Sequence, residues 1–323
     1  MRNKINLPLL LLIFVLGSCE AKDNKKSYTV AFYNVENLFD TVDDPATNDD
    51  EFTPKGAYRY TEKVYKQKIH NIATVIGKLD AAIIGLAEVE NSTVLNELIQ
   101  QPELQKRHYK YAWFNSQDPR GIDVALLYDT DIFSLVRSYT IPVKMKGLHT
   151  RDVLYVCGVL QDDTIHILVN HWPSRREGVR ESEPKRIAVA KVNKKVVDSL
   201  LGRNSQSNII IMGDMNDNPD NNSIAQVLGA SSKGKLNNPW LSGFQSGKGT
   251  SVYQKQWDHF DQIIISRSLS GNKGLHMESA KIFDADFIRN TKFEDAYPLR
   301  SFKGYNWVNG YSDHLPIYIR LIK

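Results

Sequence analysis

The sequence predicts a mixed α/β protein with two β-sheets flanked by helices. Three observations carry this reading. Short apolar runs bounded by polar turns recur along the chain, as buried strands do. Two longer segments repeat apolar residues at steps of three and four, as amphipathic helices do. Strands that can pair locally alternate with strands whose partners must be distant in sequence, which suits two sheets better than one. With 323 residues, 41% hydrophobic, the chain can bury a large core. That composition excludes a disordered, collagen-like or multi-span membrane protein. Two cysteines exclude a disulfide scaffold.

Taken in order, Tyr28–Tyr33 is β-rich, and residues 41–58 form a polar, acidic loop. Thr61 is a helix N-cap, followed by a face of Tyr65, Ile69, Ile72, Ile76 and Leu79. Ala81–Ala87 is a buried strand, and Asn91 caps a second helix. Strands follow at Tyr109–Phe114, Val124–Tyr128, Val153–Leu160 and Ile165–Val169. A long helix is predicted over 184–201, with Pro184 in its first turn and Val189, Val192, Val196 and Leu200 inward. Strands at Asn208–Met212, Gln262–Ser266 and Leu315–Leu321 complete the set, and 229–251 is a surface loop. Cys157, inside an apolar run, is a core residue.

The N-terminus reads as an export signal. Arg2 and Lys4 precede an apolar run, Leu7–Leu16, too short to span a bilayer. The run ends in Leu16-Gly17-Ser18-Cys19, which resembles a bacterial lipobox with Cys19 as the lipidated residue. The expected organisation is a signal peptide over 1–18, a lipidated cysteine and polar tether over 19–27, and one domain over 28–323. The expected location is the cell envelope, at the outer membrane, held there by lipid. Arg2 and Lys4 account for two of the four net positive charges, leaving +2 for the body from Cys19 onward. A polyanion partner must then be recognised locally rather than by bulk charge. No oligomer or protein-partner signal is present, so a monomer is expected.

Polar residues stand at one strand end after another. They are Asn34 and Glu36, Glu88, Asn170-His171-Trp172, Gly213-Asp214-Met215-Asn216, Asp261, and Asp313-His314. Carboxylates and amides converging on one rim suit Mg²⁺ or Mn²⁺ holding a phosphate substrate. Histidines beside them can move protons near neutral pH.

In this order, the motifs N-V-E-N-L, G-L-A-E-V-E-N, R-G-I-D-V-A-L-L-Y, V-N-H-W, G-D-M-N-D-N-P and S-D-H-L-P resemble the endonuclease/exonuclease/phosphatase superfamily. The resemblance runs from Asn34 to His314. It implies a deoxyribonuclease I-like four-layer sandwich, two mixed sheets flanked by helices, that cleaves phosphate esters with a divalent metal. It implies that Asn34 and Glu88 hold the metal, with Asp313 at a metal or histidine-partner position. Asp214 activates or orients the attacking water, and Asn216 fixes the water or a phosphate oxygen. His314 contacts the phosphate, with Asp261 as its supporting carboxylate. His171 protonates the leaving oxygen. Glu36 competes with Asn34 for the metal, and Glu90 is a solvated competitor of Glu88. Asp123 either orients His171 or bonds backbone near its strand start.

Arg151, Arg175 and Arg176 are candidates for binding substrate phosphate, since a planar guanidinium suits it; surface ion pairing is the alternative. Tyr253, Trp257 and Trp307 either stack on bases or pack in the core. The expected activity is a Mg²⁺-dependent extracytoplasmic nuclease on DNA or RNA. A lipid-headgroup or inositol phosphate esterase is the alternative, and a catalytically inactive binding module on the same fold is less favoured because the polar set is intact. No G-x-S-x-G elbow is present, which excludes a serine hydrolase of that type.

Overall fold

The computed structural model describes residues 26–323 apart from 232–233 and 292–295. The segments expected to be a signal peptide, lipidated Cys19 and most of a tether therefore lie outside the described residues. The first sheet begins with β1 (Ser27–Leu38), β2 (Ile83–Val89), β3 (Tyr109–Trp113) and β4 (Asp123–Asp129). The second takes β5 (Phe133–Ile141), β6 (Val153–Leu160), β7 (Asp163–His171), β8 (Asn208–Asp214) and β9 (Leu236–Asn237). A hairpin, β10 (Ser251–Tyr253) and β11 (Gln256–Asp258), leads into β12 (Asp261–Ser266), which joins the second sheet. Strand β13 (His276–Ile282) returns to the first sheet. A second hairpin, β14 (Phe302–Lys303) and β15 (Asn306–Trp307), precedes β16 (Ile317–Ile322).

The strand orders are β13-β16-β1-β2-β4-β3 and β5-β6-β7-β8-β12-β9. Each sheet is mixed: β1 runs parallel to β2 and antiparallel to β16, and β7 runs parallel to β8, which is antiparallel to β12. Helices α1 (Glu62–Leu79) and α2 (Ser92–Ile99) cover the outer face of the first sheet, and α3 (Val179–Arg203) covers that of the second. The result is the four-layer sandwich that the sequence predicts.

Strand alternation decides which residues meet between the sheets. Val30 and Phe32 of β1, Ile165, Ile167 and Val169 of β7, Ile210 and Met212 of β8, and Ile263 and Ile265 of β12 form the inter-sheet core. Their neighbours Ile209, Ile211 and Ile264 face α3 instead. Gly85 admits the Met212 side chain from the opposite sheet; a Cβ there would lie 2.5 Å from its sulfur. Each fully buried isoleucine or valine contributes roughly 2 kcal/mol before entropy. A core of this size can therefore offset a few buried carboxylates at its rim.

The predicted elements are present, with differences at their edges. Helix α3 starts at Val179, so Pro184 is its sixth residue rather than part of the first turn. Its buried face is Val189, Ala190, Asn193, Val197 and Leu200, while Val192 and Val196 are only partly buried. Polar Asn193 takes an inward position because it hydrogen-bonds Asn170. Strand β5 and strand β13 were not predicted. Their inside–outside alternation is irregular, as expected of strands at sheet edges. The 229–251 loop contains β9 and the short helix α4 (Leu241–Gln245). Cys157 is buried in the cluster beneath α3, as expected.

Candidate active site

The inward-facing rows do not stop where the apolar core stops. Asn34 continues the Val30–Phe32 row, His171 continues Ile165–Ile167–Val169, Asp214 continues Ile210–Met212, and Asp261 begins the row of Ile263 and Ile265. The same two-residue period that builds the core therefore delivers four polar side chains to one end of the inter-sheet space. Glu88 has the wrong parity, since Ile84 and Leu86 face the helices. Its left-handed backbone (φ 66°), at a register shift between Ala87 and Val89, turns it back into the site. Glu36, Asn37 and Asn216 are also left-handed, so non-glycine strain gathers at the strand ends and the turn around this rim.

Asn34 Nδ2 donates to Asp214 Oδ2 at 3.1 Å, and Asn34 Oδ1 accepts from the Glu36 amide. Glu88 Oε2 accepts from the Asn37 amide at 2.8 Å, leaving Oε1 facing His171 Nε2 at 3.7 Å. His171 Nε2 is also 3.7 Å from Asp214 Oδ2. His314 Nδ1 lies 2.7 Å from Asp261 Oδ2, with its Nε2 3.9 Å from Asp214 Oδ2. The six residues thus form one constellation across both sheets, and all except Glu88 and His314 are almost fully buried.

The two histidines differ in charge. Burial opposes charging of His314, but Asp261, Asp214 and Asp313 outweigh it and hold the imidazolium well above its usual range. Burial, then the charges of Arg151 and Arg120, push His171 well below its usual range. These shifts favour His171 as a neutral hydrogen-bonding imidazole and His314 as the charged one. Burial is also the main reason that the Asp214 carboxyl is pushed up to about 6, against the lowering by His314.

Asp214, Asp261 and His314 bring ligand atoms within 4.8 Å of one another, close enough to hold a metal ion. A charged imidazole has no lone pair for a metal, so His314 and Asp261 read better as an acid–base pair. The oxygen donors that fit a hard divalent cation are Glu88 Oε1, which has no hydrogen-bond donor among the described residues, and the second lone pair of Asn34 Oδ1, with Asp214 beside them. Asp313 stands apart at the mouth, 39% exposed, with Arg300 Nη2 at 3.3 Å.

The model of the endonuclease/exonuclease/phosphatase family matches residues 29–323. The chain belongs to this family. Several solved structures share the fold. A truncated TDP2 from Caenorhabditis elegans is 16% identical, with TM-score 0.59, covering 92% of this chain and 98% of that one. Danio rerio TDP2 complexed with single-strand DNA product is 14% identical, with TM-score 0.57, covering 91% and 98%. A mannosyl-6-phosphatase from Bacteroides thetaiotaomicron is 19% identical, with TM-score 0.58, covering 92% and 100%. No curated protein sequence matches.

In this family member the remaining candidates take distinct places. Asn216 donates through Nδ2 to the Trp172 carbonyl, and its amide N–H bonds Asp214 Oδ1, so it braces the loop that carries Asp214. Asp123 does not reach His171, whose Nδ1 has no hydrogen-bond partner among the described residues; it accepts from the Ser116 amide instead. Arg151 is buried, with Nη1 on Asp118 at 2.6 Å and its other nitrogens on the carbonyls of His171 and Trp172. Those bonds consume the guanidinium, so Arg151 braces the histidine rather than presenting itself to phosphate. Arg175 is likewise engaged by Asn216 O, Asp217 and Asn221, and stacks on Phe260. Arg176 is exposed, makes no ion pair among the described residues, and its charge is felt at His171. Glu90 is buried rather than solvated: it accepts from the Asp40 amide, and burial raises its carboxyl to about 8. Trp257 packs on Tyr297 and Arg289, and Trp307 on Phe302; only Tyr253 is largely exposed.

Sequence reasoning missed Asp118, Asp217 and the Lys68–Glu36–Ser301 chain. Asp217 gathers Arg175, Arg186 and Ser223 behind the Asp214 loop. A lysine in the apolar stripe of α1, fully buried, was the available signal for the third.

Proposed function

We propose that the protein is a divalent-metal-dependent phosphoric ester hydrolase whose substrate is a phosphodiester of DNA or RNA. The observation that carries this is the charged His314–Asp261 pair facing Asp214 across the end of both sheets. When bound, Mg²⁺ or Mn²⁺ would supply neutralisation of phosphate charge, with Asn34 and Glu88 as the residues to hold it. His314 places a fixed positive charge and a proton donor, at Nε2, where a phosphoryl oxygen enters. Asp261 keeps that charge in place. Asp214, poised near neutrality, orients a water and accepts its proton. His171, neutral and held by the Arg151-braced backbone, donates or accepts one hydrogen bond without carrying charge.

One observation supports a diester over a small monoester. Arg176 and Arg300 leave cationic groups exposed at two sides of the site, as a strand passing through would use. The fold itself is shared by the TDP2 bound to single-strand DNA product and by the mannosyl-6-phosphatase, and does not choose between them. The lipobox-like segment supports an exported, lipid-anchored enzyme, tested by loss of membrane fractionation in Cys19→Ser. The activity is tested with bis(p-nitrophenyl) phosphate and p-nitrophenyl phosphate, each with Mg²⁺ and with chelator. Metal-dependent preference for the diester supports the reading; preference for the monoester moves it to a phosphatase.

A further inference from the structure

Of the three arginines that the sequence nominates for phosphate, two are consumed by internal contacts. The structure offers another. A cleft of about 640 Å³ opens beside Asp313, lined by Arg300, Lys303, Val252 and Val308 among others. Arg300 is 53% exposed and touches Glu36 and Asp313 only through long contacts of 3.3–3.4 Å. Its Nη1 has no hydrogen-bond partner among the described residues. Lys303, exposed on β14, makes no ion pair among them either.

The backbone under Arg300 is anchored from below. The Ser301 amide donates to Glu36 Oε2 at 2.6 Å, Lys68 Nζ donates to Ser301 Oγ at 2.6 Å, and Ser301 Oγ donates to the Tyr311 carbonyl. Lys68, Glu36 and Ser301 are all buried, a costly arrangement unless the segment it fixes matters. What it fixes is the backbone from which the exposed Arg300 side chain reaches the junction between the catalytic rim and the cleft. Holding that backbone in place removes part of the entropic cost of binding an anion there.

We propose that Arg300, assisted by Lys303, binds a second phosphate of the substrate in the cleft beside Asp313. This rests on the phosphoesterase reading and adds that the substrate carries at least two phosphates. They could belong to neighbouring links of a nucleic-acid strand or to a small bisphosphate.

The test is binding without turnover: fluorescein-labelled hexathymidylate titrated with the full folded domain in chelator. Arg300→Ala weakens binding about tenfold, as loss of a charge-assisted contact does, with partial rescue in Arg300→Lys. Lys303→Ala, which touches neither carboxylate and so cannot disturb the rim, weakens it about threefold. Lys323→Ala, at the ends of β16 and β7 opposite those that lead to His314 and His171, leaves it unchanged. Displacement of the label separates the sources. A strand is read as tighter displacement by pTpT than by thymidine 5′-phosphate. A small bisphosphate is read as tighter displacement by glucose 1,6-bisphosphate than by glucose 6-phosphate. Arg300→Ala erases whichever difference appears. Equal displacement by one- and two-phosphate ligands in both pairs, or binding unaffected by both Arg300→Ala and Lys303→Ala, overturns the proposal. If Arg300 discriminates yet the metal-loaded protein hydrolyses no ester, the hydrolase reading fails and the anion site stands.

Discussion

His314 donates through Nδ1 to Asp261 at 2.7 Å, and this contact sets the charge of the site. Asp261 belongs to the second sheet and His314 to the segment entering the first, so the pair also bridges the two halves of the fold. An imidazolium this well held remains protonated through neutral pH, whereas His171 on the other side does not charge there.

Asp261→Asn removes the main charge that raises His314. Its protonation then fails at lower pH, because a raised histidine falls back once its carboxylate partner is gone. The alkaline limb of the pH–rate profile should move down by a unit or more, with about a hundredfold loss of rate at pH 8. A profile with an unmoved limb and merely lower rate would mean that Asp261 serves folding only.

Arg151→Ala should destabilise rather than selectively inactivate. It removes the donor to Asp118 Oδ2, leaving that buried carboxylate only Arg120 at its Oδ1, and frees the carbonyls of His171 and Trp172. Losing one partner of such a buried pair costs up to about 3–5 kcal/mol. Urea denaturation measures this directly. Wild-type stability with weakened DNA binding would restore Arg151 as a phosphate anchor.

Asp123 gives a pH dependence of stability. Burial raises its carboxyl to about 7 in the folded protein, against 3.8 when free. The folded state therefore holds a proton that the unfolded chain releases. This contribution is fully present below about pH 4 and is lost as pH rises toward 7. Asp123→Asn should raise the melting temperature at pH 8 by a few degrees and leave it nearly unchanged at pH 4. An equal shift at both values would contradict the assignment.

Gly213 sits directly opposite Asn170 in the β7–β8 pairing, and a Cβ there would collide with the Asn170 carbonyl. Gly213→Ala must separate the strands that carry His171 and Asp214. Expression should fall sharply and the melting temperature with it; a well-folded, active variant would show that the strands can separate at little cost.

The fold and most of the constellation were legible in the sequence because one physical rule produces both. Strands that alternate Ile and Val end in Asn34, His171 and Asp214, so the polar residue inherits the inward direction of its row. What the sequence hid was competition for the same groups. Arg151, Arg175 and Arg176 look equivalent in one dimension, and only packing reveals that Asp118 and Asp217 have claimed the first two. The parity of Glu88 points away from the site, and only a left-handed turn at a bulge corrects it. Arg300 lies in a loop with no alternation to read, twelve residues before the S-D-H-L-P motif and outside it, and its backbone rests on a lysine buried beneath it.

The central claim is metal-dependent cleavage of nucleic acid at the His314–Asp261–Asp214 rim. The most direct measurement is degradation of labelled DNA and RNA by the protein from residue 28 onward, at low salt, with Mg²⁺ or Mn²⁺, with chelator, and with folded His314→Ala alongside. The account predicts cutting that needs the metal and that the variant loses by a hundredfold or more. Cutting that survives in His314→Ala, or no cutting of either nucleic acid with either metal, would contradict it.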